Sequence, residues 1–303
     1  DLREAADSLL LGSHKVAAHL LGIVYETPKP RTFAAFMERL EATDPVELKL
    51  HLFGHFGSAV EHLSTPDVLE RAARGEAAAQ EEFLASLSEW SDKHALVKGL
   101  LELGADAVKA RLVELLPRWY EQVFLPYEPE WRAEAERDAE TKRALAKRHS
   151  PEQLVELATR GYQYTPGPEI RTIAFFPSWW MRPWVILWEH KGTKIFCSPI
   201  APAEQEGASA AEVARVYKAL GDEGRLRLLQ RLAEGPLKLS EAAAELGVAK
   251  STAHHHLAIL RHAGFVTIRD EDENVYSLRT ELPQAGDLLA GYLGSSRSSA
   301  TTA

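Results

Sequence analysis

Three groups of side chains in this sequence have the types and spacing to do chemistry. In LHLFGHFGSAVEH, His51, His55 and His62 recur at steps of four and seven with Glu61 close by. On a helix that spacing gathers imidazoles on one face, where they could hold zinc, nickel or the edge of a haem. The competing reading is a polar helix edge whose rings each bond a carbonyl or carboxylate. No further ligand is identifiable, so no metal is assigned. In FFPSWWMRPWVILWEH, residues 175–190, stand Trp179, Trp180, Trp184 and Trp188, four of the chain's seven tryptophans. A buried indole N–H needs a partner, so such a block lines a cavity or an interface. With Arg171 or Arg182 to receive an anionic head it would be an apolar effector pocket. Otherwise it is strand core, or a dimer interface around Arg182 and Trp184.

The third group lies in KSTAHHHLAILRHAG. On a helix, Lys250, Ser251, His254, His255 and Ala258 form a short, polar, mildly basic face, with Thr252 in the first turn. A helix entering the major groove needs such a face, and its first-turn N–H groups attract phosphate. His254, His255 and His256 point about 100° apart and cannot easily share an ion; His256 reads as packed and hydrogen-bonded. No GxSxG elbow, P-loop or dinucleotide fingerprint is present, and Cys197 has no evident partner base. Catalysis is therefore not expected.

The elements positioning these groups follow from periodicity. Residues 1–21, 32–41, 46–63, 72–85 and 96–119 carry Leu and Ala at helical steps, broken at Pro28, Pro30, Pro45 and Pro66. Residues 130–147 are dense in Arg, Lys and Glu, the pattern of an exposed helix laced with i,i+4 pairs. Ser150 and Pro151 open one more helix. After Gly161 the period shortens, and 170–177, 184–189 and 194–199 read as strands, the last two joined at Lys191 and Gly192. Further on, Ser240 is placed to cap a short helix that Gly247 ends, and the His-rich helix runs to Ala263 with Gly264 as its left-handed stop. Strands 265–269 and 275–279 flank the turn DEDEN. Helix, tight turn, helix and hairpin is the order of a winged helix-turn-helix.

The stretch 219–279, with ALGDEGRLRLL, STAHHHLAILRHAGFV and a hairpin ending VYSLR, resembles the ArsR/SmtB family of bacterial repressors. The likeness covers about a quarter of the chain. It implies a homodimer reading a two-fold symmetric operator in double-stranded DNA, with Lys250, Ser251, Thr252, His254 and His255 toward bases and phosphate. The four acids of the wing turn would repel phosphate. That leaves Arg269 and Arg279, at the strand ends, for the backbone. Family members often sense metals through cysteines before the recognition helix or His/Asp pairs on the last one. Here PLKLSEA, 236–242, has no cysteine, and LPQAGDLLAGYL, 282–293, has Asp287 but no histidine. A metal sensor of that type, or any cofactor, is not expected.

The 303 residues suffice for two domains. The fold expected is mainly α with small antiparallel β. A helical sensor or dimerisation domain at 1–200 ends in a small sheet, 201–209 form a linker, 210–294 the winged helix, and 295–303 a disordered tail. A net charge of −9 argues against a nucleoid-type packager, yet allows a local basic face. One cysteine fits a reducing cytoplasm. No basic-then-apolar leader stands at Asp1, and no apolar run is long enough for a membrane span. The function expected is transcription regulation, modulated by a small apolar or anionic effector. The alternatives are an effector-free regulator, or a metal-dependent enzyme fused to a DNA-binding module.

Overall fold

The computed structural model describes residues 19–56, 64–87, 91–179, 181–200, 209–269 and 274–299. Two compact units emerge. One comprises Asp1–Trp131, Ile170–Ala174 and Leu187–Ile195. The other comprises Arg132–Glu169, Phe175–Ile186 and Phe196–Ala303. The expected division into 1–200 and 210–294 followed chain order. The compact unit that contains the winged helix also takes in helices and strands from before residue 200. Positions 201–208 of the expected linker lie outside the described residues.

The first unit is built of short helices whose ends are set by local chemistry: α1 (Leu21–Glu26), α2 (Phe33–Ala42), α3 (Pro45–Phe53), α4 (Pro66–Arg74), α5 (Ala77–Ser86), α6 (Ser91–Glu102) and α7 (Ala105–Trp119). Thr32 accepts from the Ala35 N–H, and Asp44 from those of Val46 and Glu47. Pro45 and Pro66 sit in first turns, where their missing N–H costs nothing. The helix expected over 46–63 ends instead at Phe53, because Gly54 turns left-handed at φ 84°. The stretch 72–85 is likewise divided by Gly75; Ala72, Ala73 and Ala79 are buried, while Ala77, Ala78 and Ala85 are exposed. Ile23, Leu40, Leu48, Leu52, Phe83 and Leu112 fill the core. Pro117 lies in the last turn of α7, which then widens into a π turn at Tyr120–Phe124.

Helix α8 (Glu128–Ala146) was expected to be fully solvated. It buries Asp138 and Lys142 as an i,i+4 ion pair, with Lys142 Nζ also donating to Ser198 Oγ at 3.4 Å. Helix α9 (Pro151–Thr159) opens on a capping box between Ser150 and Gln153. Strand β1 (Tyr162–Gln163) follows. Strands β2 (Thr172–Ser178), β3 (Ile186–His190) and β4 (Thr193–Pro199) form a sheet in the order β2-β4-β3. Lys191 and Gly192 both adopt positive φ, 47° and 76°, as a two-residue hairpin turn requires.

The winged helix comprises α10 (Ala210–Leu220), α11 (Glu223–Glu234), β5 (Leu237–Lys238), α12 (Leu239–Leu246), α13 (Lys250–His262), β6 (Val266–Arg269), β7 (Val275–Leu278) and α14 (Ala285–Ser299). Its sheet runs β1-β6-β7-β5. The wing pair β6–β7 is antiparallel, but β1 joins β6 in parallel through Tyr162 and Ile268, so the sheets are mixed. Ala242, Ala253, Leu257 and Leu260 are buried together with Leu228, Val266 and Tyr276. Two expectations change here. Helix α12 starts before Ser240, with the Glu241 carboxylate accepting the Lys238 N–H at 2.7 Å. The closing helix continues to Ser299, so residues 295–299 are helical rather than a disordered tail.

Candidate nucleic-acid interface

Helix α12 ends where Gly247 turns left-handed at φ 67°, and α13 starts three residues later. No side chain caps α13, which leaves its positive end available to an anion. Lys250, Ser251, Thr252 and His255 are exposed, as is Arg269 at the end of β6. Asp222 caps α11 by accepting the Arg225 N–H at 2.9 Å and lies 3.6 Å from His256 Nδ1. His256 is thus packed as expected, but the separation is that of an ion pair rather than a hydrogen bond.

His254 is different. Its ring is half-buried against Trp184, with centroids 4.9 Å apart, and Trp184 also lies 5.5 Å from the ring of His255. Burial, then Arg261, then His255 hold the His254 imidazole below its ordinary pKa, so it is neutral at pH 7. Ala258, expected on the open face, is 5% exposed. Buried Arg261 donates Nη1 to the Thr159 carbonyl and Nη2 to the Pro183 carbonyl at 2.8 Å. The segment carrying Pro183 and Trp184 therefore lies along the outer face of α13.

Arg279 also departs from expectation. Rather than projecting from the wing, it is half-buried and turned over Gly161, where an added Cβ would lie 2.9 Å from Arg279 Nη2. Its Nε is buried without a partner. The wing acids at 270–273 lie outside the described residues.

Among the described residues, the tryptophan block is divided between the two units. Arg171 and Trp188 belong to the first unit, where Trp188 packs 4.4 Å from His19. Trp179, Arg182 and Trp184 belong to the second. Arg182 lies 5.1 Å over the Trp179 ring and donates to the Ile200 carbonyl at 3.0 Å. Trp180 lies outside the described residues. A cavity of about 690 Å³ in the second unit is lined by none of these six residues.

Of the three histidines, His51 alone lies on α3. With α3 ending at Phe53, His55 falls beyond its last turn and packs on Phe56; His62 lies outside the described residues. His51 instead stacks on His190, with centroids 5.2 Å apart, and its ligand nitrogen lies within 4.8 Å of carboxylate oxygens of Glu26 and Glu47. Among the described residues, these three are the ones that could hold a metal. Glu26, however, already accepts from Arg39 at 2.5 Å, Lys191 at 2.6 Å and His190 Nε2 at 2.8 Å. Three donors, two of them permanently cationic, satisfy its lone pairs and oppose a further cation. Although burial works against it, these bonds hold its pKa at about 2. His51 is pushed down to about 3, first by burial and then by His190. The cluster is thus a hydrogen-bonded node joining α1, α2 and the β3–β4 turn, with His51 of α3 stacked against it. Nothing in the spacing of Glu26 and His190, 164 residues apart, could have announced it.

A three-helix core with a helix-turn-helix and a two-stranded wing defines a DNA-binding class. The family model for "Bacterial regulatory protein, arsR family" matches residues 222–267. HTH-type transcriptional regulator NmtR of Mycobacterium tuberculosis is 37% identical over 68 residues, 22% of this chain and 55% of NmtR. The uncharacterized HTH-type regulator YceK of Bacillus subtilis is 35% identical over 83 residues, 26% of this chain and 81% of YceK. Reduced HlyU from Vibrio cholerae matches at 32% identity and TM-score 0.22, covering 23% of this chain and 76% of that one. Through its C-terminal domain the chain belongs to the ArsR family of transcriptional regulators. It spans about half the length of NmtR, and the matches leave most of the chain before α10 uncovered.

Proposed function

We propose that the chain is a sequence-specific DNA-binding transcriptional regulator that acts as a homodimer, normally represses, and is modulated by a small effector. The observation that carries the reading is the exposed first turn of α13, where Lys250, Ser251 and Thr252 follow the Gly247 turn as a groove-entering helix requires. Beside it, Trp184 packed at a tilt against His254 and His255 supports regulation by competition. Base edges and the indole would contend for the same imidazoles, so a ligand favouring the packed arrangement weakens operator binding. A coupling of about 1–3 kcal/mol is enough for roughly 5- to 150-fold regulation.

The test is selection of bound fragments from genomic DNA by the purified full chain, followed by titration of the enriched sequence against a scrambled one. A symmetric enriched site, bound at least 100-fold tighter than its scramble, is expected. Uniform affinity for all sequences would overturn the reading. The rival effector-free reading draws on the ring and cation partners of Trp179, Trp184 and Trp188, which describe packing rather than a ligand cavity. An effector would therefore bind elsewhere.

A further inference from the structure

The cavity of about 690 Å³ lies within the second unit, between the end of α9, α10, the end of α13 and the approach to α14. Its charges are unevenly placed. Arg160, Arg215, Arg279 and His262 are half-buried, as are Glu156 and Glu212, whereas Glu281 and Asp287 are exposed. Arg215 has Glu212 at 3.6 Å, and the Nε atoms of both Arg215 and Arg279 are buried with no hydrogen-bond partner. Arg160 stands at the left-handed C-cap of α9, φ 59°, a conformation strained for a non-glycine residue.

Guanidinium groups crowded in a half-buried cavity repel one another and lack the water that would screen them. The effect is visible in their proton affinities. Burial, then Arg215, brings Arg160 down to about 10, with Arg182 and Arg261 adding to it and Glu212 opposing. Burial, then Arg160, Arg215, Arg261 and Arg182, brings His262 down to about 3. The buried Nε–H groups of Arg215 and Arg279 lack an acceptor, and guanidinium geometry suits a planar or tetrahedral oxyanion.

We propose that this cavity is the binding site of a small oxyanion, a carboxylate- or phosphate-bearing metabolite held by Arg160, Arg215 and Arg279, with its apolar part against Leu157 and Leu282. Its consequence for DNA rests on the regulator reading; the binding step does not. The charge of Arg182 acts on Arg160, Arg215 and His262. Arg182 is followed directly by Pro183, whose carbonyl takes the Arg261 bond, and by Trp184 on α13. An anion neutralising the cluster removes the repulsion that opposes this arrangement. It thereby favours the form with Trp184 on His254 and weakens operator binding.

The experiment follows the ring resonances of His262 in histidine-labelled full-length protein, titrated with inorganic phosphate and separately with citrate, at ionic strength held constant with chloride. His262→Asn identifies the signal. A saturable shift is expected with at least one probe, together with a rise in thermal midpoint. Both Arg215→Gln and Arg279→Gln should weaken it at least tenfold, and Arg171→Gln should leave it unchanged. An equal response to chloride, or full binding by folded R215Q and R279Q proteins, overturns the site. If operator DNA expels the anion and both variants lose affinity for every DNA sequence alike, the arginines serve the DNA backbone and the metabolite site is overturned. Anion binding without any operator preference would keep the site and remove the regulator reading. A specific operator with no anion response would do the reverse.

Discussion

The Trp184 indole lies 4.9 Å from the His254 imidazole on α13, the helix proposed to read base edges. Trp184→Ala should therefore free His254 and tighten operator binding. An aromatic pair is worth about 0.5–1.5 kcal/mol beyond its area, so the gain is roughly two- to twelvefold. Anisotropy titration of a labelled operator measures it. A variant that folds normally and binds no tighter than the parent would mean that the pair does not compete with DNA.

Lys250→Ala with Ser251→Ala tests the other side of the same helix. Both side chains are exposed, and neither anchors the core. Specific affinity should fall at least tenfold while the thermal midpoint stays within about 2 °C, because surface substitutions away from caps and core change stability little. Lys250→Ala alone should lower the salt slope of binding by about 1. Retained specific binding by the double variant would sink the placement of α13 in the groove.

Much of the winged helix was legible because its signals are local. Gly247, Gly264 and Asp222 each fix a helix end within a few residues of themselves, and Ala253, Leu257 and Leu260 share a face whatever surrounds them. What escaped was non-local. The β1–β6 pairing joins Tyr162 to Ile268, and two-residue strands have no period to detect. Arg279 reads as a wing residue until Gly161 brings a side-chain-free surface beneath it. The histidine spacing failed for a local reason that was present in the sequence: Gly54 sits between His51 and His55 and ends the helix there. Arg160, Arg215 and Arg279 are dispersed over 120 positions, so only the tertiary structure gathers them.

Glu26 should prove structural. Glu26→Gln keeps the side-chain shape but loses the charge that Arg39, Lys191 and His190 share. Hydrogen bonds to charged groups are worth about 1.5–3 kcal/mol each at most, and a net loss of about 2 kcal/mol is expected by urea denaturation. Gly22→Ala should act on the same node, since an added Cβ would lie 2.6 Å from His190 Nδ1; forcing that buried ring aside costs about 1–3 kcal/mol. Dialysis against EDTA should leave the midpoint unchanged. A drop on EDTA treatment that E26Q abolishes would instead establish a metal held by Glu26, Glu47 and His51.

Acid should weaken the fold well before carboxylates are protonated. His51 and His262 are both held near 3, against 6.5 for an open imidazole, by burial and by neighbouring cations and rings. Between those values the unfolded chain takes up protons that the folded chain refuses, so stability is full above about pH 6.5 and falls as pH drops toward 3. Glu26, lowered from 4.5 to about 2, acts in the same direction over a more acidic window, because protonation costs it the three donors. The urea midpoint should thus decrease steadily from about pH 7 to about pH 5, a range set by the histidines alone. His51→Phe, which keeps an aromatic ring in the stack with His190 but removes the titratable nitrogens, should flatten that slope while leaving the remainder to His262, His190 and His254. A midpoint that is level or rising over this range in the parent protein would contradict the burial of neutral histidines in both units.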